Sequence, residues 1–323
     1  MSALTDWLSL RQGTLPPAAL EIATNRVCAA AVDLRGARPA VTAHAAELLA
    51  AGVVTPSLTN PNVKDRPTLV AMVRRMLDTV GRPRRVALIL PDPIAKVSLV
   101  KFEKVPHGDD LVQLVRWQMR KAAPFPIEEA QVSFVPGARA ADGQEFIVSL
   151  ARRDIVREYE DICEDAGAHA GLVDISTFNV INTALAGLGD ASTDWLLVNV
   201  APDYASIAIL RGQDLIFFRS RGADADGTLA DLVHQTAMYY QDRLQGGGFT
   251  RVLLCGAAAA GGRQALDVEQ IRRSLEQRLE TSVETVDARA AATLSDRIMA
   301  SQALLDALAP VVGALVRGRE VAA

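Results

Sequence analysis

Aromatic side chains are scarce, at 5% of 323 residues, so a core must be built mainly from Ala, Val, Leu and Ile. Cysteines are scarcer still. Cys28, Cys163 and Cys255 stand far apart with no CxxC pair, and their odd number argues against a disulfide framework. Each lies in or beside an apolar stretch, as a small buried hydrophobe in a reducing compartment would. The four histidines (His44, His107, His169, His234) show no HxxxH or HxxH spacing, which removes the usual metal signal. No nucleophile-elbow pattern is present either. With a net charge of −4 and no dense Lys/Arg run interleaved with aromatics, nucleic-acid binding has no electrostatic footprint. The start of the chain carries Asp6 early and lacks the basic-then-apolar order of a secretory leader. The longest apolar run, Ala303 to Val316, contains Asp306 and Pro310 and is shorter than the ~20 residues of a spanning helix. The expectation is a soluble protein that meets a membrane only through a partner or a surface helix. Leu4, Trp7 and Leu8, at i, i+3 and i+4, are the one candidate for such a helix; a helical turn packed on its own domain is the preferred reading.

Half the residues are apolar and 22% are charged, the profile of a folded globular chain. The length suits two domains with separate cores. A strand-like run from Ala18 to Leu34 ends at the Arg35–Gly36 turn. A second opens at Trp195 (WLLVNV), turns at Pro202, Asp203 and Tyr204, continues as ASIAIL to Arg211–Gly212, and then runs through DLIFF to Arg219. Placed side by side, Glu21-Ile22-Ala23-Thr24-Asn25-Arg26-Val27-Cys28 lies over Asn199-Val200-Ala201-Pro202-Asp203-Tyr204-Ala205-Ser206, an internal repeat about 180 residues apart. Each copy has a polar residue, an apolar one, a small one, a polar turn and a second strand, which suggests two similar halves.

Between and after the copies, helices and strands alternate. Thr68 to Val80, Arg153 to Ala166, Thr228 to Leu244 and Val268 to Leu279 have helical spacing, and Asp109 and Asp110 cap a further helix that ends by Pro124. RVALIL (Arg85 to Leu90), Ala95 to Phe102, Phe146 to Leu150 and RVLLC (Arg251 to Cys255) read as strands. A last helix starts near Ser301 and is expected to break near Pro310. The pattern is α/β, with a domain boundary near the helix Ser176–Leu185.

The segment Gly256-Ala257-Ala258-Ala259-Ala260-Gly261-Gly262-Arg263 is not a P-loop, because Gly262 and Arg263 stand where Lys and Ser/Thr are needed. GxGxxG is absent, so a dinucleotide fold is excluded. Taken together, the two repeat copies and the RVLLCGAAA segment resemble, in order, the two phosphate segments and the adenosine segment of the actin, Hsp70 and sugar kinase fold. WQMRKAAPFPIEEA (Trp117 to Ala130), VDISTFNVINTAL (Val173 to Leu185) and LDALAPVVGALVRG (Leu305 to Gly318) are similar to the PilM family of type IV pilus assembly proteins. The resemblance covers roughly Leu20 to Gly318.

It implies a two-domain actin-like ATPase (ribonuclease H-like) fold. The first domain would span residues 1–175, with an inserted subdomain around 85–150 and a C-terminal helix at 301–318. The second would span 176–300. It further implies a cytoplasmic scaffold, peripheral to the bacterial inner membrane, that grips the N-terminal tail of a PilN-like membrane protein and meets other platform or motor proteins. Trp117, Phe125, Pro126 and Ile127 would line the partner groove, ringed by Arg116, Arg120 and Lys121; a subdomain core is the alternative for Trp117 and Phe125. A nucleotide, ATP with Mg²⁺, would lie against Glu21, Ala23, Thr24, Asn25, Asn199, Ala201, Asp203, Gly256 and Ala257. Here the sequence departs from the family. Ala23, Ala201 and Ala257 stand where glycine is usual, Asn199 replaces a carboxylate, and Pro202 lacks an N–H. Each change works against a backbone that must approach a phosphate or hold a hydrated metal. The expectation is weak or lost nucleotide binding and no hydrolysis. Asp224 and Asp226, which follow Arg219 and Arg221, are expected in a solvated loop at the cleft rim. An active ATPase or sugar kinase of the same fold, and an actin-like filament former, are the rival readings.

Overall fold

The computed structural model describes residues 15–188, 193–260, 268–294 and 300–317. The Leu4/Trp7/Leu8 turn and Gly261 to Arg263 lie outside the described residues. In chain order the elements are β1 (Ala18–Ile22), β2 (Arg26–Asp33), β3 (Ala40–Leu48), α1 (Arg66–Thr79), β4 (Arg85–Leu90), β5 (Ala95–Phe102), α2 (Asp109–Met119), β6 (Ala130–Ala140), β7 (Gly143–Arg152), α3 (Arg153–Ala166), β8 (His169–Ile175) and α4 (Ser176–Leu188). The second half continues with β9 (Asp194–Val200), β10 (Tyr204–Arg211), β11 (Asp214–Gly222), α5 (Leu229–Leu244), β12 (Arg251–Cys255), α6 (Val268–Leu279), β13 (Val283–Thr285), α7 (Ala288–Ala291), β14 (Thr293–Leu294) and α8 (Gln302–Val316).

Local chemistry sets the element ends. Asp65 caps α1 by accepting from the Thr68 N–H at 3.1 Å, and Thr228 and Asp231 form a reciprocal capping box at the start of α5. Gly167 ends α3 in the left-handed region (φ 99°). Apolar residues at i, i+3 and i+4 in α1 (Leu69, Met72, Val73, Met76) are buried, each large side chain contributing on the order of 1.5–3 kcal/mol.

Two sheets share one plan. Strand order β3-β2-β1-β4-β8 in the first matches β11-β10-β9-β12-β13 in the second. In each, three antiparallel strands lead into two parallel ones. Glu21 pairs with Cys28 as Asn199 pairs with Ser206, so the sequence repeat is also a repeat of register. β14 adds to β3 at the far edge of the first sheet.

Helices α4 and α8 lie between the sheets. Val180, Ile181 and Ala184 of α4, with Ala309 of α8, join the core over the second sheet. Leu308, Val311, Val312 and Leu315 of α8 join the core over the first. The helices touch closely: Thr183 Oγ1 donates to the Ala309 carbonyl at 2.5 Å, and a Cβ on Gly313 would fall 1.8 Å from the Asn179 carbonyl oxygen. The expected break at Pro310 does not occur; the residue sits buried inside an unbroken helix. Proline removes one backbone bond, and apolar packing on both sides holds the helix through it.

A third sheet, β5-β7-β6, carries α2 on one face. It begins at Ala95, not near residue 85, because Arg85–Leu90 pairs with β1 and β8 inside the first sheet. Its other face meets the second half, where Ile147 packs beside Phe178 and Phe218. Although aromatics are few, Trp195, Tyr159 and Tyr240 are among the largest fully buried side chains. Each finds a partner for its polar atom, as burial demands: Trp195 Nε1 donates to the Gly212 carbonyl, Tyr159 to Asn62 Oδ1 and Tyr240 to Asp194.

Candidate functional site

The repeated hairpins turn toward one another at the parting between the two sheets. Each is closed by the same backbone bond: the Ala23 N–H donates to the Arg26 carbonyl and the Ala201 N–H to the Tyr204 carbonyl, both at 2.9 Å. Across the gap, Thr24 Oγ1 donates to Asp203 Oδ1 at 2.8 Å. The two turns, 179 residues apart in sequence, are thus in direct contact. Burial holds the Asp203 carboxyl above its ordinary range.

Glu21, at the end of β1, is buried. Its Oε2 accepts from Arg26 Nη2 at 2.9 Å, and its Oε1 accepts from Ser176 Oγ at 2.9 Å. Burial, the largest single influence, would lower the pKa of the Arg26 guanidinium; the charge and hydrogen bond of Glu21, with smaller contributions from Cys28 and Tyr204, together outweigh it and raise that pKa. Both carboxylate oxygens therefore already have donors.

On the other side, Asn199 Nδ2 donates to Thr177 Oγ1 at 2.8 Å. Thr177 in turn donates to Asp92 through its backbone N–H (2.9 Å) and its hydroxyl. Ser206 Oγ also donates to Asp92, at 2.5 Å. Asp92, fully buried, links β4's end to both α4 and β10. Burial pushes its carboxyl up to about 6, with the Ser206 and Thr177 donors holding it back.

The third turn closes the ring. Gly256 has φ 83°, and a Cβ there would lie 2.2 Å from the Val200 carbonyl oxygen, so only glycine fits. Ala257 is buried. Asp306, reaching across from α8, accepts from the Ala258 N–H at 2.8 Å and from Gln302, and burial raises its pKa. Asn25 Nδ2 donates to the Ala259 carbonyl at 2.9 Å. All nine residues singled out at these turns in the sequence come together at the parting between the sheets.

Beside the turns lies a groove of about 810 Å³ where the Thr55–Leu58 loop, the start of β5, the β9–β10 turn and the end of β11 meet. Pro56, Leu58, Pro93, Val97 and Phe218 supply apolar wall, while Lys96, Asp203, Arg219 and Asp224 supply charge. Both β5 and β11 are edge strands of their sheets. Trp117, Phe125, Pro126 and Ile127 are not among its lining residues. They lie on the inserted subdomain. Trp117 is 66% exposed, Pro126 is exposed and Phe125 half-buried, and Ile127 is buried in the subdomain core. Lys96 connects the two places, donating from its ammonium to the Ala122 carbonyl at 2.9 Å.

Among the described residues no cluster of His, Cys, Asp and Glu could hold a metal ion, and no helix is long and apolar enough to cross a membrane. The three cysteines are free and buried. The family profile described as "Type IV pilus assembly protein PilM" matches residues 19–235. The chain belongs to the PilM family.

A solved PilM–PilN type IV pilus biogenesis complex matches with a TM-score of 0.77 and 18% identity, covering 94% of this chain and 97% of that one. A Bacteroides thetaiotaomicron protein with an actin-like ATPase fold and unknown function matches with a TM-score of 0.50 and 10% identity, covering 90% of this chain and 95% of that one. At such identities the likeness is one of fold, and the fold is the actin-like ATPase fold. A comparison with curated proteins finds no match.

For this PilM family member, sequence reading missed the residues that occupy the polar groups of the turns: Arg26, Asp92, Ser176, Thr177, Ser206 and Asp306. Two carried a signal. Asp306 is the only charge in an apolar run, and Asp92 lies between two prolines directly after a buried strand.

Proposed function

We propose that this protein is a scaffold on the cytoplasmic side of the bacterial inner membrane, part of a type IV pilus assembly complex, that grips the extended N-terminal tail of a PilN-like membrane protein and turns over no ATP. The groove beside the hairpins carries this reading. An extended peptide needs apolar pockets rimmed by charge, and the walls from Pro56, Val97 and Phe218 with Lys96 and Arg219 at the rim provide them. The family membership and the likeness to a solved PilM–PilN complex support it. The partner surface extends from the groove onto the inserted subdomain, where Trp117, Phe125 and Pro126 offer reachable apolar area and Ile127 supports them from below. Domain limits follow the sheets: the first half runs to β8, the second begins with α4, and α8 returns to the first.

The fit of Mg²⁺ and ATP to the parting is poor. Both Glu21 oxygens are engaged, an amide stands at position 199, and Thr24 bonds Asp203 across the space between the turns. The Glu21 carboxylate is therefore not free to orient a water or hold a hydrated metal. Other platform or motor proteins would meet the assembled complex.

Titration with a PilN-type N-terminal peptide tests the reading. Phe218→Ala and Trp117→Ala should each weaken binding by about tenfold, as loss of a buried aromatic anchor does. Unchanged affinity in both removes the assignment. Phosphate release from Mg·ATP above the buffer rate would remove the claim of no turnover.

A further inference from the structure

Two buried polar atoms at the turns have no hydrogen-bond partner, Arg26 Nε and Asn25 Oδ1. Orphaned groups of this kind need an explanation. Both belong to the first turn, and both residues use their other polar atoms to bind this chain's own groups: Arg26 binds Glu21 and Asn25 binds the Ala259 carbonyl. Arg26 is 7% exposed, and a charge so buried is retained only beside an opposite one. Glu21 supplies that charge. A hydrated divalent cation seeking the Glu21 carboxylate would meet a like charge already bonded to it at 2.9 Å, together with the Ser176 hydroxyl on the second oxygen.

We propose that Arg26 is a built-in counter-ion, standing where a ligand cation would otherwise neutralise Glu21, and that the three turns are held together by the chain's own side chains with no nucleotide. Thr24 to Asp203 joins the first half to the second. Asn25 to Ala259 joins the first turn to the third. Ser206 to Asp92 ties β10 to the end of β4 behind them. Each bond runs between the halves, so each opposes their separation, and the Glu21 charge is already balanced by Arg26. The inference extends the claim of no turnover and does not depend on which partner the groove takes.

Melting and hydrogen exchange test it on the full chain. At about 2 mM Mg·ATP, Mg·ADP or Mg²⁺ alone the wild type should melt within about 1 °C of its ligand-free value, whereas a ligand at about 100 times its Kd would add several degrees. Arg26→Leu strands Glu21; this variant should melt lower in EDTA and regain several degrees in about 5 mM Mg²⁺. Should it fail to fold, Thr24→Val carries the test. It leaves the ion pair intact and should speed amide exchange at Ala201 to Tyr204 and Gly256 to Ala260 by about tenfold, the loss of one hydrogen bond, with β4 unaffected. A Mg·ATP-induced rise in wild-type melting, or unaltered exchange in Thr24→Val, overturns the proposal. Peptide affinity in the same samples reads the scaffold assignment separately.

Discussion

Replacing Gly313 by alanine should loosen the seam between the two halves. The added Cβ would sit 1.8 Å from the Asn179 carbonyl oxygen and 2.7 Å from both the Asn179 carbonyl carbon and Thr183 Oγ1. Backbone cannot rotate out of the way as a side-chain tip can, so α8 must retreat from α4 by roughly 1.5 Å to restore ordinary contact. Such a shift breaks the Thr183–Ala309 bond, now 2.5 Å, and leaves a buried group unsatisfied, at about 1–3 kcal/mol. Overpacking adds about 1–3 kcal/mol, and the better helix propensity of alanine returns about 1 kcal/mol. The net loss is about 1–5 kcal/mol, read as a melting point roughly 2–12 °C lower. Thermal denaturation followed by circular dichroism measures it, with Gly247→Ala, whose Cβ would meet nothing within 4 Å, as the control. In the Gly313→Ala background, Thr183→Val should cost less than it does alone, since the bond is already lost. A Gly313→Ala melting point within about 1 °C of wild type would refute the packing argument.

Four further outcomes are expected. Gly256→Ala, strained by φ 83° and a 2.2 Å approach to Val200 oxygen, should cost about 1–3 kcal/mol in urea unfolding. Asp92 is raised from 3.8 to about 6: its folded state holds the proton more tightly, so its contribution to stability is full below pH ~4 and declines as pH rises to ~6. The stability difference between wild type and Asp92→Asn should accordingly move by about 2–3 kcal/mol in the variant's favour between pH 4 and 7, and a flat difference would count against it. Trp117→Ala, at a side chain 66% exposed, should change stability by less than about 0.5 kcal/mol while lowering peptide affinity. Burial pushes the Cys28 and Cys163 thiols up to about 12, so a thiol reagent at pH 8 should label neither until the chain unfolds.

Strands that are buried on both faces announce themselves. RVALIL and WLLVNV are continuous apolar runs because β4 and β9 are central and covered on both sides, and the two hairpins repeat because the two sheets repeat. Edge and half-exposed strands are quieter. β3 reads AVTAHAAEL and β8 HAGLVDI, runs of small and polar residues whose pairing is decided by neighbours instead of by their own propensity. Pro310 misled for the opposite reason: local chemistry asks for a break, and packing between two sheets overrides it. Trp117, offered as either groove or core, is not core, because it stands out from α2 into solvent.

Periodicity, apolar runs and turn residues act over a few positions, so the chain by itself determined the α/β class, the two halves and the residues at their three turns. What those residues do was decided only in three dimensions. Thr24 meets Asp203, Asn25 meets Ala259 and Ser206 meets Asp92 across more than a hundred positions of chain. Arg26, five residues from Glu21, becomes its counter-ion only because the hairpin folds it into a site from which water is excluded. Hydrogen bonds and buried charges depend on distance and solvent, and neither exists until the two sheets close on α4 and α8.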